Sequence, residues 1–157
     1  CIHRVYEDLD HIHLVLDHVP GGELFSRIIK RGKFCEQNAA QFASNLLQAL
    51  DYLHANDIVH RDLKPENILM TSETDDTVFQ IADFGLATFV SNEVLSLRCG
   101  SPGYVAPEIL KNKSYGTKVD IFSAGIVMYI LLSGRAPFPG RAPDEILQRN
   151  KEAKIYF

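Results

Sequence analysis

From Asp120 to Leu132 apolar side chains fall on nearly every side of a helical wheel, and Ser133-Gly134 ends the run. A helix with no polar face must be surrounded, so the rest of the chain has to be built around it. Asp120 stands where a side chain could cap its first turn. A second helix is legible from Glu36 to His54, where positions 39, 43, 46, 50 and 53 share a face that 42, 47 and 49 widen. Leu24, Phe25, Ile28 and Ile29 recur at helical spacing after the break Pro20-Gly21-Gly22, and Lys30-Arg31-Gly32 supplies a basic last turn and a stop. Pro143-Asp144-Glu145 opens another helix running into Gln148. These elements predict a mainly α domain with a buried central helix.

The strands predicted around them are short. Residues 4–16 read as a hairpin, with Val5-Tyr6, a polar turn from Glu7 to Asp10, then Ile12, Leu14 and Leu16. Ile58-Val59, Ile68-Leu69-Met70 and Val78 to Ala82 are brief apolar pieces joined by charged loops, a pattern in which strands hold functional loops. Residues 84–118 show little periodicity and many turn signals, and are expected to be one long irregular segment.

The 157 residues suffice for one core. The net charge of −4 hides an asymmetry: residues 1–83 carry −7 and 84–157 carry +3. No basic run tracks a phosphate backbone, which argues against nucleic acid, and an acidic half suits cationic ligands or metal ions. Three cysteines, Cys1, Cys35 and Cys99, match neither a disulfide framework nor a zinc site and point to a reducing, cytoplasmic setting. The longest apolar run, Ile126 to Leu132, is too short to span a bilayer, so no membrane is expected as a partner. A start at Cys1 rather than Met suggests a fragment of something longer.

The chemistry concentrates in His60-Arg61-Asp62-Leu63-Lys64-Pro65-Glu66-Asn67, directly before an apolar strand. A solvated loop is the bland reading. Yet Asp62, Lys64 and Asn67 offer a proton acceptor, a cation and an amide oxygen, which together can move a phosphoryl group. Beyond a second short strand, Asp83-Phe84-Gly85 adds a carboxylate, with Gly85 expected to allow a sharp turn. Asp83 and Asn67 could then share a magnesium ion.

With His60-Arg61-Asp62 and Asn67, Asp83-Phe84-Gly85 and Ala106-Pro107-Glu108 in that order, the chain resembles the catalytic domain of eukaryotic Ser/Thr protein kinases. Three motifs in order, with Asp120 and the stretch Gly134 to Pro139 also in family positions, leave little room for coincidence. Gly21-Gly22-Glu23-Leu24-Phe25 and Gly100-Ser101-Pro102-Gly103-Tyr104 are most similar to the calcium/calmodulin-dependent group, calcium-dependent protein kinases included. The resemblance implies an α+β, protein-kinase-like fold, with residues 1–17 as the last hairpin of a small lobe and start of the hinge, and 18–157 as an incomplete, mainly helical large lobe.

It also implies roles. Asp62 would accept the substrate hydroxyl as catalytic base, Lys64 would neutralise the transferring phosphate of ATP, and Asn67 and Asp83 would hold Mg2+. Leu16 would be the gatekeeper, the backbone of Asp17 and Val19 would meet the adenine edge, and Leu69 would form the floor beneath it, although a core strand also supplies Leu and Val. Glu23 and Glu66 would contact the ribose or an arginine upstream of the phosphorylated residue, giving Arg-x-x-Ser/Thr protein substrates; the alternative is that each caps its own turn. A calcium sensor or calmodulin-like regulator is the implied partner.

Departures from the pattern matter. The loop phospho-acceptor position, two before the cysteine, is Leu97, which leaves Ser96 as a candidate beside constitutive activity or control by a partner; Arg61 would clamp such a phosphate. Phe122 replaces a Trp, Cys35 stands at a helix start where Ser or Thr is common, and Ser101 replaces a Thr bridging Asp62 and Lys64. His3, His11, His13 and His18 read as strand-surface residues. A Gly-rich phosphate loop, its Lys and the partner Glu are not found, and Glu108 is expected to lack its arginine, so the fragment alone is expected to transfer phosphate poorly or not at all. The main reading is a kinase catalytic lobe. A pseudokinase or scaffold that binds partners through the helix after Pro143 is the alternative, and a small-molecule phosphotransferase ranks last.

Overall fold

The computed structural model describes residues 2–90 and 95–155; Cys1 and the ends of the expected lobes at positions 1 and 157 lie outside them. In chain order, strands β1 (Ile2–Glu7) and β2 (Ile12–Leu16) precede helices α1 (Leu24–Arg31) and α2 (Glu36–Ala55). Strand β3 (Ile58–Val59), β4 (Ile68–Met70), β5 (Phe79–Ile81) and β6 (Thr88–Phe89) follow, then α3 (Pro107–Leu110), α4 (Lys118–Ser133) and α5 (Pro143–Glu152). The strands form three antiparallel pairs, β1 with β2, β3 with β6 and β4 with β5.

The all-apolar run is α4, and it lies at the centre, packed against α2. Ala124, Val127 and Leu131 meet Phe42, Leu46 and Leu50 in the main core, each fully buried Leu or Val contributing about 1.5–3 kcal/mol. Two expectations for this helix are corrected. It is not enclosed all round, because Ile121, Gly125 and Leu132 form an exposed stripe. Nor is Asp120 its cap: Thr117 holds that position, and the Asp120 carboxylate lies in the first turn with backbone amides of another segment as its partners. On α2 the aromatic Phe42 occupies the core more fully than Ala43, while Leu47 points to solvent.

Segment 84–118 is less irregular than expected. A 3-10 turn at Phe84–Leu86, strand β6 and helix α3 interrupt it, each too short to show periodicity; its residues 91–94 lie outside those described. Helix α3 carries Ile109 and Leu110 into a second core with Val59, Val105 and Val119. Glu108, one position earlier, is half-buried. Phe122 stacks parallel to Phe138 at a centroid distance of 6.5 Å, so the ring is used for packing. Cys35 makes no capping hydrogen bond at the start of α2.

The hairpin β1–β2 exposes both faces, and its histidines are surface residues. His3 pairs with Asp17 at 2.5 Å and His13 with Asp8 at 2.7 Å, the latter bond holding the Asp8 carboxyl below its ordinary range. One buried ion pair was not foreseen. Arg27, on the apolar face of α1, donates to Asp76 at 3.0 Å and to the carbonyls of Gly21, Ser72 and Asp75, while Arg31 also pairs with Asp76. These bonds fasten the loop after β4 to α1 and so fix the hairpin that carries the site.

Candidate active site

Two backbone devices aim the polar loop after β3. Buried Asp120 accepts the amides of His60 and Arg61, each at 2.9 Å, and His54 Nε2 at 2.9 Å. Arg61 is thereby held at φ 68°, a left-handed conformation that non-glycine residues adopt only when their surroundings impose it. His60, fully buried, then donates from Nε2 to the Ala82 carbonyl at 3.0 Å and accepts the Asp62 amide on Nδ1 at 3.3 Å. One imidazole thus couples the loop at 60–62 to the residue before Asp83.

Beyond it a closed ring forms. Lys64 Nζ donates to Asp62 Oδ2 and to Ser101 Oγ, both at 2.8 Å, and Ser101 donates to Asp62 Oδ1 at 2.7 Å. Asn67 Nδ2 donates to the Asp62 carbonyl at 2.9 Å and to Oδ2 at 3.3 Å. Asp62 is nearly buried, yet a carboxylate has about four acceptor positions, so one remains for an incoming hydroxyl. The three residues expected to act together are brought together, and Ser101 joins them.

Asp83 arrives by strand register. Asn67 directly precedes β4, Ile68 pairs with Ile81 across the β4–β5 hairpin, and the Ala82 amide donates to the Asn67 carbonyl at 2.8 Å. Asp83 therefore emerges at the same end as Asn67. The sharp turn there is at Asp83 itself, with φ 58°, and not at Gly85 as expected. Gly85 serves close approach instead: its amide donates to Asp83 Oδ1 at 3.1 Å, and an added Cβ would stand 3.0 Å from that oxygen. Phe84 rests edge-on against His60 at 5.0 Å.

The donor set fits magnesium. With its nitrogen committed to Asp62, Asn67 presents an amide oxygen, and exposed Asp83 presents a carboxylate, hard oxygen donors of the kind Mg2+ takes in ones and twos while keeping water and phosphate oxygens.

The residues expected around a nucleotide occupy one side of the hairpin. Leu69 alternates with buried Ile68 and Met70 and so faces away from the core, in bridge pairing with Glu23. Gly21 and Gly22 bond to Met70 on the same line, laying the segment after β2 along β4. Val19 is half-buried, Leu16 and Asp17 are exposed at the end of β2, and the Asp17 side chain turns to His3. Glu23 stands at the N-cap position of α1 but makes no side-chain capping bond, and Glu66 lies in the first turn of the 3-10 turn Pro65–Asn67, whose N-cap is Lys64, so the reading of both as turn caps is corrected. Glu66 has one buried carboxylate oxygen without a partner among the described residues. It lies near Tyr104, whose hydroxyl is pushed well above its ordinary range by burial and then by the Glu66 charge. Tyr104, Pro65, Phe25 and Ile29 line an apolar groove of about 350 Å³.

Sequence reasoning missed Arg27, His54 and Tyr115. Arg27 had a signal, since it shares a helix face with Leu24 and Ile28; the other two meet their partners only across the fold.

A model of the protein kinase domain matches residues 1–156. A probable serine/threonine-protein kinase 2 of Plasmodium falciparum is 47% identical over 97% of this chain and 30% of its own length. Human calcium/calmodulin-dependent protein kinase type 1B is 42% identical over the whole chain and 46% of its own length. Calcium-dependent protein kinase 5 of Plasmodium berghei is 45% identical over 99% of the chain and 28% of its length. The chain thus spans less than half the length of these relatives.

Proposed function

The chain belongs to the protein kinase domain family, and on that premise we propose that it is the catalytic lobe of a Ser/Thr kinase that transfers the γ-phosphate of ATP to protein substrates. The observation that carries this is the closed ring of Asp62, Lys64 and Ser101, with Asn67 bonded into it and Asp83 at the same hairpin end. In the reaction the substrate hydroxyl oxygen bonds to the γ-phosphorus as the bond to the β-phosphate oxygen breaks and ADP leaves. Asp62 accepts the hydroxyl proton, while Lys64 lies beside the charge developing on the transferring group. Asn67 and Asp83 would hold the magnesium ion, which supplies charge neutralisation for the nucleotide phosphates. Leu69 and Val19 would bracket adenine, with the Asp17 and Val19 backbone at its edge, Leu16 behind it and Glu23 near the ribose.

Substrates would carry an arginine upstream of the acceptor, because the unpartnered Glu66 oxygen is an acceptor that a guanidinium can satisfy. Residues 1–17 would be the edge of a small lobe and 18–157 the large lobe. The names of the calcium- and calmodulin-dependent relatives support a calcium sensor or calmodulin-like regulator. Cys35 and Cys99 are both free thiols, which supports a cytoplasmic location; among the described residues no helix is long and apolar enough to cross a membrane.

The test is phosphate transfer by the full parent chain to an Arg-x-x-Ser peptide and to its Ala-x-x-Ser counterpart. The reading predicts transfer that Asp83→Asn removes, and a preference for arginine that Glu66→Ala erases. Absence of transfer with calcium and calmodulin present would put the scaffold reading first.

A further inference from the structure

Arg61 directs its guanidinium to neutral oxygens. Nε donates to the Leu86 carbonyl at 2.6 Å and Nη1 to the Tyr115 hydroxyl at 3.3 Å. Tyr115 in turn donates to the Leu97 carbonyl at 2.6 Å, and its amide donates to the Leu95 carbonyl at 3.0 Å. A phenol has a single hydrogen, so with Leu97 taking it the lone pairs are left to Arg61 and to the Cys99 thiol at 3.8 Å. Tyr115 is only 8% exposed, and burial raises its hydroxyl above the ordinary range, which keeps that hydrogen in place at neutral pH. The Arg61 backbone is fixed behind it by Asp120. Both ends of the segment between Asp83-Phe84-Gly85 and Cys99 are therefore tied to the loop that carries Asp62.

A phosphate clamped by Arg61 would sit two residues before Cys99, but Leu97 has no hydroxyl to carry one. Its carbonyl reaches Arg61 through Tyr115 instead. We propose that Tyr115 is a positioning residue whose hydroxyl anchors the activation segment to Arg61 in place of a phosphate, so that the kinase is competent with no phosphate on this segment. The inference rests on the phosphotransferase reading above and adds how its site is held.

The test uses the full parent chain, stripped by phosphatase and checked by intact mass. Wild type, Tyr115→Phe and Ser96→Ala are compared for peptide phosphorylation and for hydrogen exchange at the amides of residues 95–99. Phosphate-free wild type and Ser96→Ala keep their rate, whereas Tyr115→Phe, which leaves Arg61 and the Leu97 carbonyl short of a partner, loses about tenfold in kcat with KM for ATP changed less than about twofold. Exchange at 95–99 rises in Tyr115→Phe while that of α4 does not. A parent that works only when Ser96 is phosphorylated, or a Tyr115→Phe variant equal to wild type in rate, overturns the proposal. A parent inactive in every form removes the kinase reading instead, and unchanged exchange at 95–99 in Tyr115→Phe then overturns the anchor independently.

Discussion

Ser101 lies 39 residues beyond Asp62 in sequence, and its hydroxyl is 2.7 Å from the Asp62 carboxylate. That bond, with the one from Lys64 to the same hydroxyl, ties the segment after Cys99 into the candidate site rather than leaving it as a cover over it. Replacing Ser101 by Ala leaves Asp62 and Lys64 each one bond short, and kcat is expected to fall by about tenfold or more with little change in KM for ATP. Ser101→Thr keeps the hydroxyl and should retain most of the rate; steady-state kinetics of both variants checks this.

Asp120 is fully buried and answers three donors, from His54, His60 and Arg61. Asp120→Ala is expected to cost about 3 kcal/mol or more in unfolding free energy, because buried donors lose their acceptor. Urea denaturation of the parent chain measures it, and phosphotransfer should fall further than stability, since Arg61 loses the hold on its left-handed backbone.

Gly21 runs so close to β4 that a Cβ on it would stand 2.3 Å from the Met70 carbonyl oxygen and 2.5 Å from that of Ser72. Both obstacles are backbone, so neither can swing aside. Gly21→Ala should push the segment after β2 off Leu69 and weaken nucleotide binding, with a stability loss of about 1–3 kcal/mol. Calorimetric titration with Mg-ATP, paired with a melting curve, separates the two effects.

Alkaline stability should report on Tyr104 and Tyr115, both held protonated above their ordinary range chiefly by burial. Above a pH of about 10 the unfolded chain loses these protons while the fold keeps them, so the fold binds more protons and stability falls as pH rises. Below that pH their contribution is fully present. Tyr104→Phe should flatten the decline of Tm between about pH 9.5 and 11.5, and an unchanged slope would contradict the assignment.

Much of this was legible in the sequence for physical reasons that can be named. Helices α1, α2, α4 and α5 announce themselves through periodicity and stop signals, because each spans enough turns to repeat its pattern. Asp62, Lys64, Asn67 and Asp83 were singled out as polar residues flanking short apolar strands in kinase-like motifs, and the structure bonds Lys64 and Asn67 to Asp62 while strand register brings Asp83 to the same hairpin end. Asp120 was misread because a carboxylate in a first turn is locally a cap; its actual partners, the His60 and Arg61 amides, are about sixty positions away. Tyr115 escaped for the same reason, whereas Arg27 had a signal in the helix face it shares with Leu24 and Ile28. Gly85 was given the right importance for the wrong cause, since its φ is ordinary and its role is to let Asp83 fold back upon its amide.

The central claim is that Asp62 accepts a proton from a protein hydroxyl during transfer from ATP. Single-turnover phosphorylation of an Arg-x-x-Ser peptide by the parent chain and by Asp62→Asn, with Mg-ATP affinity measured alongside, tests it most directly. The account predicts that Asp62→Asn binds Mg-ATP about as well as wild type and transfers phosphate at least about a hundredfold more slowly. Equal transfer rates in the two proteins would contradict it.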